Sequence, residues 1–357
     1  MSEKVLVAMS GGVDSSVAAA LLIEQGFEVT GVTLKLFSNK DIGIERSRTC
    51  CSLADVEDAR SVAYRLGFSH HVFNFGEQFR EQVINRFASA YSRGETPNPC
   101  IDCNRYIKFS ELLDRALMLD MDCIATGHYA RVELDNNTGR YLLKKATDSS
   151  KDQSYVLFGL TQEQLKRTLF PLGSLNKSEV RRLAEEQGLV NAKKPDSQDI
   201  CFVKDGDYAS FLENTMNVYS PPGNFTDSAG NVLGTHRGLI RYTIGQRKGL
   251  GLSFVSPKYV IKKDVENNVV VLGDEPELFS SSMTVKDLNL ISVEALTEPT
   301  EALVKTRYSQ KETPAVLYPL DNGATLVKFH EPQRAVTSGQ AAVFYDGDNV
   351  IGGGTIV

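Results

Sequence analysis

Apolar positions divide the chain into two textures that meet near residue 215. Before it, uninterrupted apolar runs alternate with stretches of helical period; after it, short β-rich runs are broken by frequent turns. KVLVAM (4–9) is, after Lys4, an uninterrupted apolar run, as expected of a strand buried on both faces of a sheet. DSSVAAALLIEQG behind it predicts a helix that stops at Gly26. EVTGVTLKLF (28–37), HHVFNF (70–75) and DCIATGH (122–128) predict further strands, separated by helices over SLADVEDARSVAYRLG, with Ser52 as N-cap, and FSELLDRALMLD. That rhythm predicts an α/β fold with a doubly wound parallel sheet. Capping-box spacing in TQEQ at 161 and NKSE at 176, the second helix ending at Gly188, extends this half by a helical appendage.

Beyond residue 215, GLIRYTIGQRKGLGL, KYVIKKDVENNVVVLG, EALVKTRYS, PAVLYPL, ATLVKF and QAAVFYDGDNVIGGGTIV read as short strands with ENN, DNG and DGDN turns between them. Small β-barrels are the natural packing for such a series. The expected division is an α/β domain with its helical appendage over 1–215, a central β-rich domain over 216–276 and a C-terminal β-barrel over 277–357, with the last boundary near Pro276.

Composition agrees with a multidomain globular chain. Its 357 residues exceed what one core usually serves, and 41% apolar with 24% charged residues is ordinary for water-exposed folds. No apolar run approaches the length of a membrane span, and the opening MSEKVLVAMSGG has too short an apolar run for a secretion signal. A cytoplasmic location is therefore expected, and the six cysteines (Cys50, Cys51, Cys100, Cys103, Cys123, Cys201) are not expected to form a disulfide framework. Cys123 reads as a buried small side chain. The net charge of −6 argues against polyanion binding by the whole surface. Charge is segregated, however: between Ser228 and Lys263 stand Arg237, Arg241, Arg247, Lys248, Lys258, Lys262 and Lys263 with no acidic residue. Such a stripe is the footprint of a phosphate-binding face.

Two stretches carry candidate chemistry. SGGVDSS (10–16) joins the first strand to the first helix, where glycines allow close backbone approach and successive amides ahead of a helix N-terminus form an anion cradle. Ser10, Ser15 and Ser16 add hydroxyl donors. The string is neither a Walker A loop, lacking Gly-Lys-Ser/Thr, nor a Gly-x-Gly-x-x-Gly turn. Without that lysine, phosphate binding is expected to rest on amides and a metal, with Asp14 the nearest carboxylate for Mg²⁺. The second stretch, TPNPCIDCN (96–104), places Cys100 and Cys103 three apart. A metal clip, a redox switch and a nucleophile are all compatible with that spacing.

SGGVDSS resembles the pyrophosphate loop of the N-type ATP pyrophosphatases, which adenylate a carbonyl oxygen and release pyrophosphate. TPNPCIDCNRYIKF (96–109), ATGHYAR (125–131), KDQSYVLFGL (151–160), PDSQDICFV (195–203) and YTIGQRKGLG (242–251) resemble, in the same order, the motifs of the tRNA-specific 2-thiouridylases. The similarity continues weakly through RYS and SGQAAVFYDGD. The resemblance implies ATP at Ala8, Met9, Ser10, Gly11, Gly12, Val13, Asp14 and Ser15, with Leu34 and Gly127 against the adenosine. It implies Cys103 as nucleophile and Cys201 as persulfide carrier, the two pairing transiently. RNA contacts are implied at Asn98, Pro99, Cys100, His128, Lys151, Asp152, Gln153, Arg307, Tyr308 and Gln340, on tRNAs for Lys, Glu and Gln, and the central domain is implied to bind tRNA. A cysteine desulfurase or sulfur-relay protein would supply sulfur.

This chain departs from that pattern at Cys100, where many members carry an aspartate thought to act as acid or base. Asp102 lies close by but is expected on another side of an extended chain. Cys100, Cys103 and Cys201 could instead ligate a [4Fe–4S] cluster with one open iron; zinc lacks a fourth ligand. Cys50 and Cys51 have no assigned role. A synthetase of the same ATP family acting on a small metabolite would explain the loop but not the thiols, and a non-enzymatic RNA- or metal-binding protein would explain the stripe but not the loop.

Overall fold

A computed structural model describes residues 2–38, 53–195, 200–203 and 206–357. The Ser52 cap, Cys50 and Cys51 lie outside the described residues. The chain forms two compact units: Met1–Ile84, Pro99–Gly206 and Gly347–Ile351 in one, Asn85–Asn98, Asp207–Asp346 and Gly352–Val357 in the other.

The first unit is built on a parallel sheet of β1 (Lys4–Ala8), β2 (Glu28–Lys35), β3 (Ser69–Asn74), β4 (Cys123–Thr126) and β7 (Thr168–Leu169), in the order β3-β2-β1-β4-β7. Val5, Leu6 and Val7 are fully buried, as their unbroken apolar run predicts. α1 (Val13–Glu24) follows β1, its alanines, Val17 and Leu22 buried; α2 (Leu53–Leu66) and α9 (Lys177–Glu186) supply Ala59, Val62, Val180 and Ala184 to the same core. The chain runs from β1 outward through β2 to β3 and then crosses back to place β4 on the other side of β1, and that switch in direction opens a crevice at the carboxyl ends of β1 and β4, where open α/β sheets bind ligands. The helix of α8 (Gln162–Lys166) starts on a full capping box at Thr161, and α9 on one at Asn176.

Two features of this unit differ from expectation. A hairpin, β5 (Arg131–Asp135) and β6 (Arg140–Lys144), lies within the first half, and Lys144 pairs with Asn349 near the chain end. Its strands are mostly half-exposed and charged, so no apolar run announces them. A helical stretch also starts at Gly76–Phe79 and widens into a π-helical run, Arg80–Asn85; α4 (Arg86–Ser92), which continues it, is counted with the second unit.

The second unit is mainly β. β8 (Gly223–Thr226), β9 (Val232–His236), β10 (Tyr259–Asp264) and β11 (Val269–Gly273) form a sheet in the order β10-β11-β8-β9. Phe225 and Tyr242 pack edge to face 5.1 Å apart in its core, beside Val260 and Val270. After a short turn, Glu275–Leu278, six strands follow: β12 (Phe279–Leu290), β13 (Thr300–Lys305), β14 (Thr313–Pro319), β15 (Thr325–Arg334), β16 (Ala341–Asp346) and β17 (Asn349–Ile356). β12 is long enough to pair with both β15 and β17, with Val285 opposite Thr325 on one side and Ile356 on the other, which closes the barrel.

Candidate active site

Ser10, Gly11 and Gly12 carry the chain out of β1 into the α1 N-terminus. Gly11 has φ +75°, and a Cβ there would lie 2.4 Å from the Asp55 carbonyl oxygen. From the other side, a Cβ on Gly127 at the end of β4 would lie 2.7 Å from the Ser15 amide nitrogen. Only glycines allow the loop to be pressed between α2 and β4 in this way. Ser10 is exposed, whereas Ser15 and Ser16 face inward. Ser15 Oγ accepts from Ser10 N at 3.2 Å and donates to the Gly12 carbonyl at 3.1 Å, and Ser16 Oγ donates to the same carbonyl at 3.1 Å. Short hydroxyls beside their own backbone bond locally, so the expectation that they serve as phosphate donors is corrected for Ser15 and Ser16, both buried. Met9 and Leu34 are buried at the strand ends, and the Met9 amide donates to Val32 O.

Lysines stand at this loop after all, brought from far along the chain. Lys177, the first residue of α9, donates to both Asp14 carboxylate oxygens at 2.7 and 2.8 Å, and Tyr129 Oη donates to Asp14 Oδ1 at 2.8 Å. Lys194 donates to the Gly11 carbonyl at 3.1 Å, to Asp55 at 2.6 Å and to Asp58 at 2.7 Å. Burial opposes its charge, but the Asp55 and Asp58 hydrogen bonds outweigh it and raise its pKa. Asn191 Nδ2 donates to Gly11 O and Ser16 Oγ. Asp14 therefore carries an ammonium where a metal ligand was expected. Among the described residues no three His, Cys, Asp or Glu side chains assemble as a metal site. A Mg²⁺ ion on Asp14 would have to displace the Lys177 ammonium, and one carboxylate would hold it only together with the phosphates of ATP.

Pro99 opens a helix, Pro99–Asp102, that runs into a π-helical stretch, Cys103–Glu111, and then α6 (Leu112–Met118). Proline suits a first helical turn because its missing N–H has no partner to lose there. Asp102 is thus helical, and the expectation of an extended chain is corrected. Cys103 is buried; Asn104 beside it donates to the Val156 carbonyl at 3.0 Å. Cys100 opens to solvent, yet protein packed around its sulfur desolvates it and raises the thiol pKa, with Lys108 opposing. A raised thiol pKa favours the protonated form, which is a weaker base than a carboxylate. Cys201 is half-buried, anchored by its neighbour Phe202, whose ring packs 5.8 Å from Phe79. Cys100, Cys103 and Cys201 are all described and form no metal-ligating group, so the donor set for an iron–sulfur cluster is not assembled. Cys123 is buried in the sheet, and burial pushes its thiol up to about 12.

The residues expected to meet RNA have varied surroundings. His128 is buried between Phe109 and Phe170, 5.8 and 6.0 Å from their ring centres, with Nδ1 2.6 Å from Thr126 Oγ1. Burial holds its pKa well below the usual histidine value, so it is neutral. It supports the helix that begins at Cys103 through Phe109. Asp152 accepts from the Ala146 and Ser154 amides and Ser154 Oγ, and Gln153 Oε1 accepts from the Tyr129 amide. In the second unit, Arg307 donates to the Ile244 and Ala335 carbonyls and to Thr337 Oγ1, Tyr308 is exposed, and Gln340 Nε2 donates to the Thr96 carbonyl. The basic stripe is narrower than its sequence. Arg241 pairs with Glu213, Lys258 pairs with Asp274 at 2.9 Å, and Lys263 Nζ is buried. Arg237, Arg247, Lys248 and Lys262 remain exposed. No described helix is long and apolar enough to cross a membrane.

Comparison with known proteins agrees with this geometry. The families described as tRNA methyl transferase HUP domain, tRNA methyl transferase PRC-barrel domain and aminomethyltransferase beta-barrel domain match residues 3–205, 209–274 and 280–356. A protein of Acetivibrio thermocellus named tRNA-specific 2-thiouridylase MnmA is 54% identical, over 99% of this chain and 99% of its own. A namesake in Clostridioides difficile is 50% identical over 100% of this chain and 98% of its own. Among solved structures, a 4-thiouridine synthetase–RNA complex with bound ATP matches with TM-score 0.38 and 19% identity, over 60% of this chain and 50% of that one. With full-length relatives that share half its residues, the chain belongs to the tRNA-specific 2-thiouridylase family.

Proposed function

We propose that this chain is an ATP-dependent tRNA-uridine 2-sulfurtransferase acting on the wobble uridine. The observation that carries the reading is the glycine loop at the β1/β4 crevice with Lys177 and Lys194 brought to it, in a chain that matches thiouridylases end to end.

Exchanging a carbonyl oxygen for sulfur requires the oxygen to leave. The C2 oxygen of uridine attacks the α-phosphate of ATP, pyrophosphate departs, and C2 then bears an adenylate. The loop amides and the α1 N-terminus face the charge that develops on the leaving pyrophosphate, and Lys177 can pass from Asp14 to a phosphate oxygen. Mg²⁺ would enter on the phosphates of ATP, as part of that substrate. Sulfur arrives as a persulfide on Cys201, loaded by a cysteine desulfurase or a sulfur-relay protein. Its terminal sulfur attacks C2, and AMP leaves with the former carbonyl oxygen. The Cys103 thiolate then attacks the Cys201 sulfur, which forms a Cys103–Cys201 disulfide and frees the 2-thiouridine. A cellular thiol reductant restores the pair. Asn98, Pro99 and Cys100, ahead of Cys103, would meet the unstacked base, with Lys151 and Tyr308 on the RNA backbone. tRNAs for Lys, Glu and Gln are the expected substrates, in the cytoplasm.

Purified protein with ATP and unmodified tRNA tests the reading. Pyrophosphate release that requires tRNA supports it. Release driven by a small amide or guanidino precursor without tRNA would favour a metabolite synthetase instead.

A further inference from the structure

Asp14, in the first turn of α1, takes hydrogen bonds from two side chains at once. Lys177 Nζ lies 2.7 Å from Oδ1 and 2.8 Å from Oδ2, and Tyr129 Oη donates to Oδ1 at 2.8 Å. The ammonium also stands 5.8 Å from the centre of the Tyr129 ring. Carboxylate, ammonium and phenol thus form one cluster beside the glycine loop, and all three belong to the first unit.

The two donors differ in how they are held. Lys177 is anchored through its backbone, whose amide donates to Asp148 Oδ2 at 3.0 Å, but its ammonium ends a flexible four-carbon stem. Tyr129 has no such latitude. It is buried, its amide donates to Gln153 Oε1 at 2.9 Å, and its carbonyl accepts from the Gln153 amide at 2.9 Å. Two residues earlier, Gly127 is pressed so tightly on the loop that a Cβ there would lie 2.7 Å from both the Asp14 carbonyl carbon and the Ser15 nitrogen. The end of β4 therefore fixes the phenol relative to Asp14, whereas the ammonium rides on a side chain that can change partner.

Passing Lys177 to a phosphate oxygen takes the ionic partner from Asp14, whose side chain is only 30% exposed. A partly enclosed carboxylate stripped of its donors is costly and would hold the lysine back. A neutral hydroxyl that stays on Oδ1 offsets part of that cost and keeps the carboxylate where the ammonium can return to it.

We propose that Tyr129 is a positioning residue for adenylation: its hydroxyl holds the Asp14 carboxylate in place while Lys177 leaves it for the departing pyrophosphate. This rests on the thiouridylase reading above and gives Tyr129 no contact with ATP or RNA.

Tyr129→Phe tests it in the full-length enzyme, since it deletes the hydroxyl and keeps the buried ring. tRNA-dependent pyrophosphate release at saturating ATP and tRNA should fall by roughly ten- to a hundredfold, the range set by one lost hydrogen bond to a charged group. The tRNA Kd and the melting temperature should stay close to wild-type values, a split that lost packing would not produce. In an Asp14→Ala background the same substitution should cost nothing further, because the hydroxyl acts only through that carboxylate. A further loss in that background would overturn the proposal. A raised Kd with an unchanged saturating rate would also overturn it, in favour of a direct RNA contact, and a melting temperature lowered in step with the rate would make Tyr129 a packing residue. Wild-type enzyme that releases no pyrophosphate with tRNA sinks the functional reading and this inference with it; working wild type beside a Tyr129→Phe variant that matches it sinks this inference alone.

Discussion

Lys177 Nζ sits within 2.8 Å of both carboxylate oxygens of Asp14, and 163 residues separate the two in sequence. The pair places a positive charge beside the glycine loop. Lys177→Met should lower tRNA-dependent pyrophosphate release by roughly a hundredfold, the usual cost of a lost transition-state donor, and leave tRNA affinity unchanged. Asp14→Ala should act on the same step, because it frees the lysine it positions. The double variant should then be little worse than Lys177→Met alone. Losses that multiply would show that the two residues act independently.

That lysine illustrates what was legible in the sequence and what was not. The strand β1, the loop and α1 were readable because they are contiguous: an apolar run, glycines and a helical pattern in 4–24. Lys177 and Lys194 carry no local signal of their role, since α9 brings them to the loop only in the folded chain. The NKSE capping box located α9 without revealing what its first residue touches. Asp102 was misplaced because Pro97 and Pro99 suggest extended chain, whereas Pro99 occupies the one helical turn that tolerates it. Four of the stripe's cations are exposed, and the others are paired or buried by tertiary partners such as Glu213 that periodicity cannot foresee.

Arg247 and Lys248 are exposed in the loop that follows Tyr242. Replacing both by Ala should weaken tRNA binding and reduce the slope of log K against log salt by about one unit per lost phosphate contact. An unchanged slope from filter-binding titrations would make this loop ordinary solvated surface.

The cysteines divide the labour of sulfur transfer. Cys201→Ser should accept no persulfide sulfur and form no 2-thiouridine. Cys103→Ser should still load sulfur on Cys201 but fail to release product, leaving a persulfide-linked RNA adduct visible by mass spectrometry. Cys100→Ser should retain substantial activity in iron-free protein, because the proposed transfer runs through Cys201 and Cys103 alone. Complete loss in Cys100→Ser would contradict that division.

Buried neutral histidines make the fold sensitive to acid. Burial lowers the pKa of His70, His128 and His236 below the usual 6.5. As pH falls below that value, the unfolded chain takes up protons that the folded one refuses. The stabilising contribution is therefore complete above pH 6.5 and is lost as pH drops toward the folded values. For fully buried His128 the slope approaches about 1.4 kcal/mol per pH unit. Melting temperature should be level near neutrality and decline in acid, more shallowly for His128→Asn than for wild type. Parallel declines would assign the acid sensitivity to other groups.

The central claim is that the uridine C2 oxygen is activated by adenylation and leaves on AMP. tRNA carrying ¹⁸O at C2 of the target uridine, incubated with ATP and persulfide-loaded enzyme in ordinary water, decides it by mass spectrometry of the released AMP. AMP that carries one ¹⁸O for each 2-thiouridine formed is the predicted result. Unlabelled AMP alongside thiolated tRNA would contradict it, because the oxygen would then have left C2 by another route.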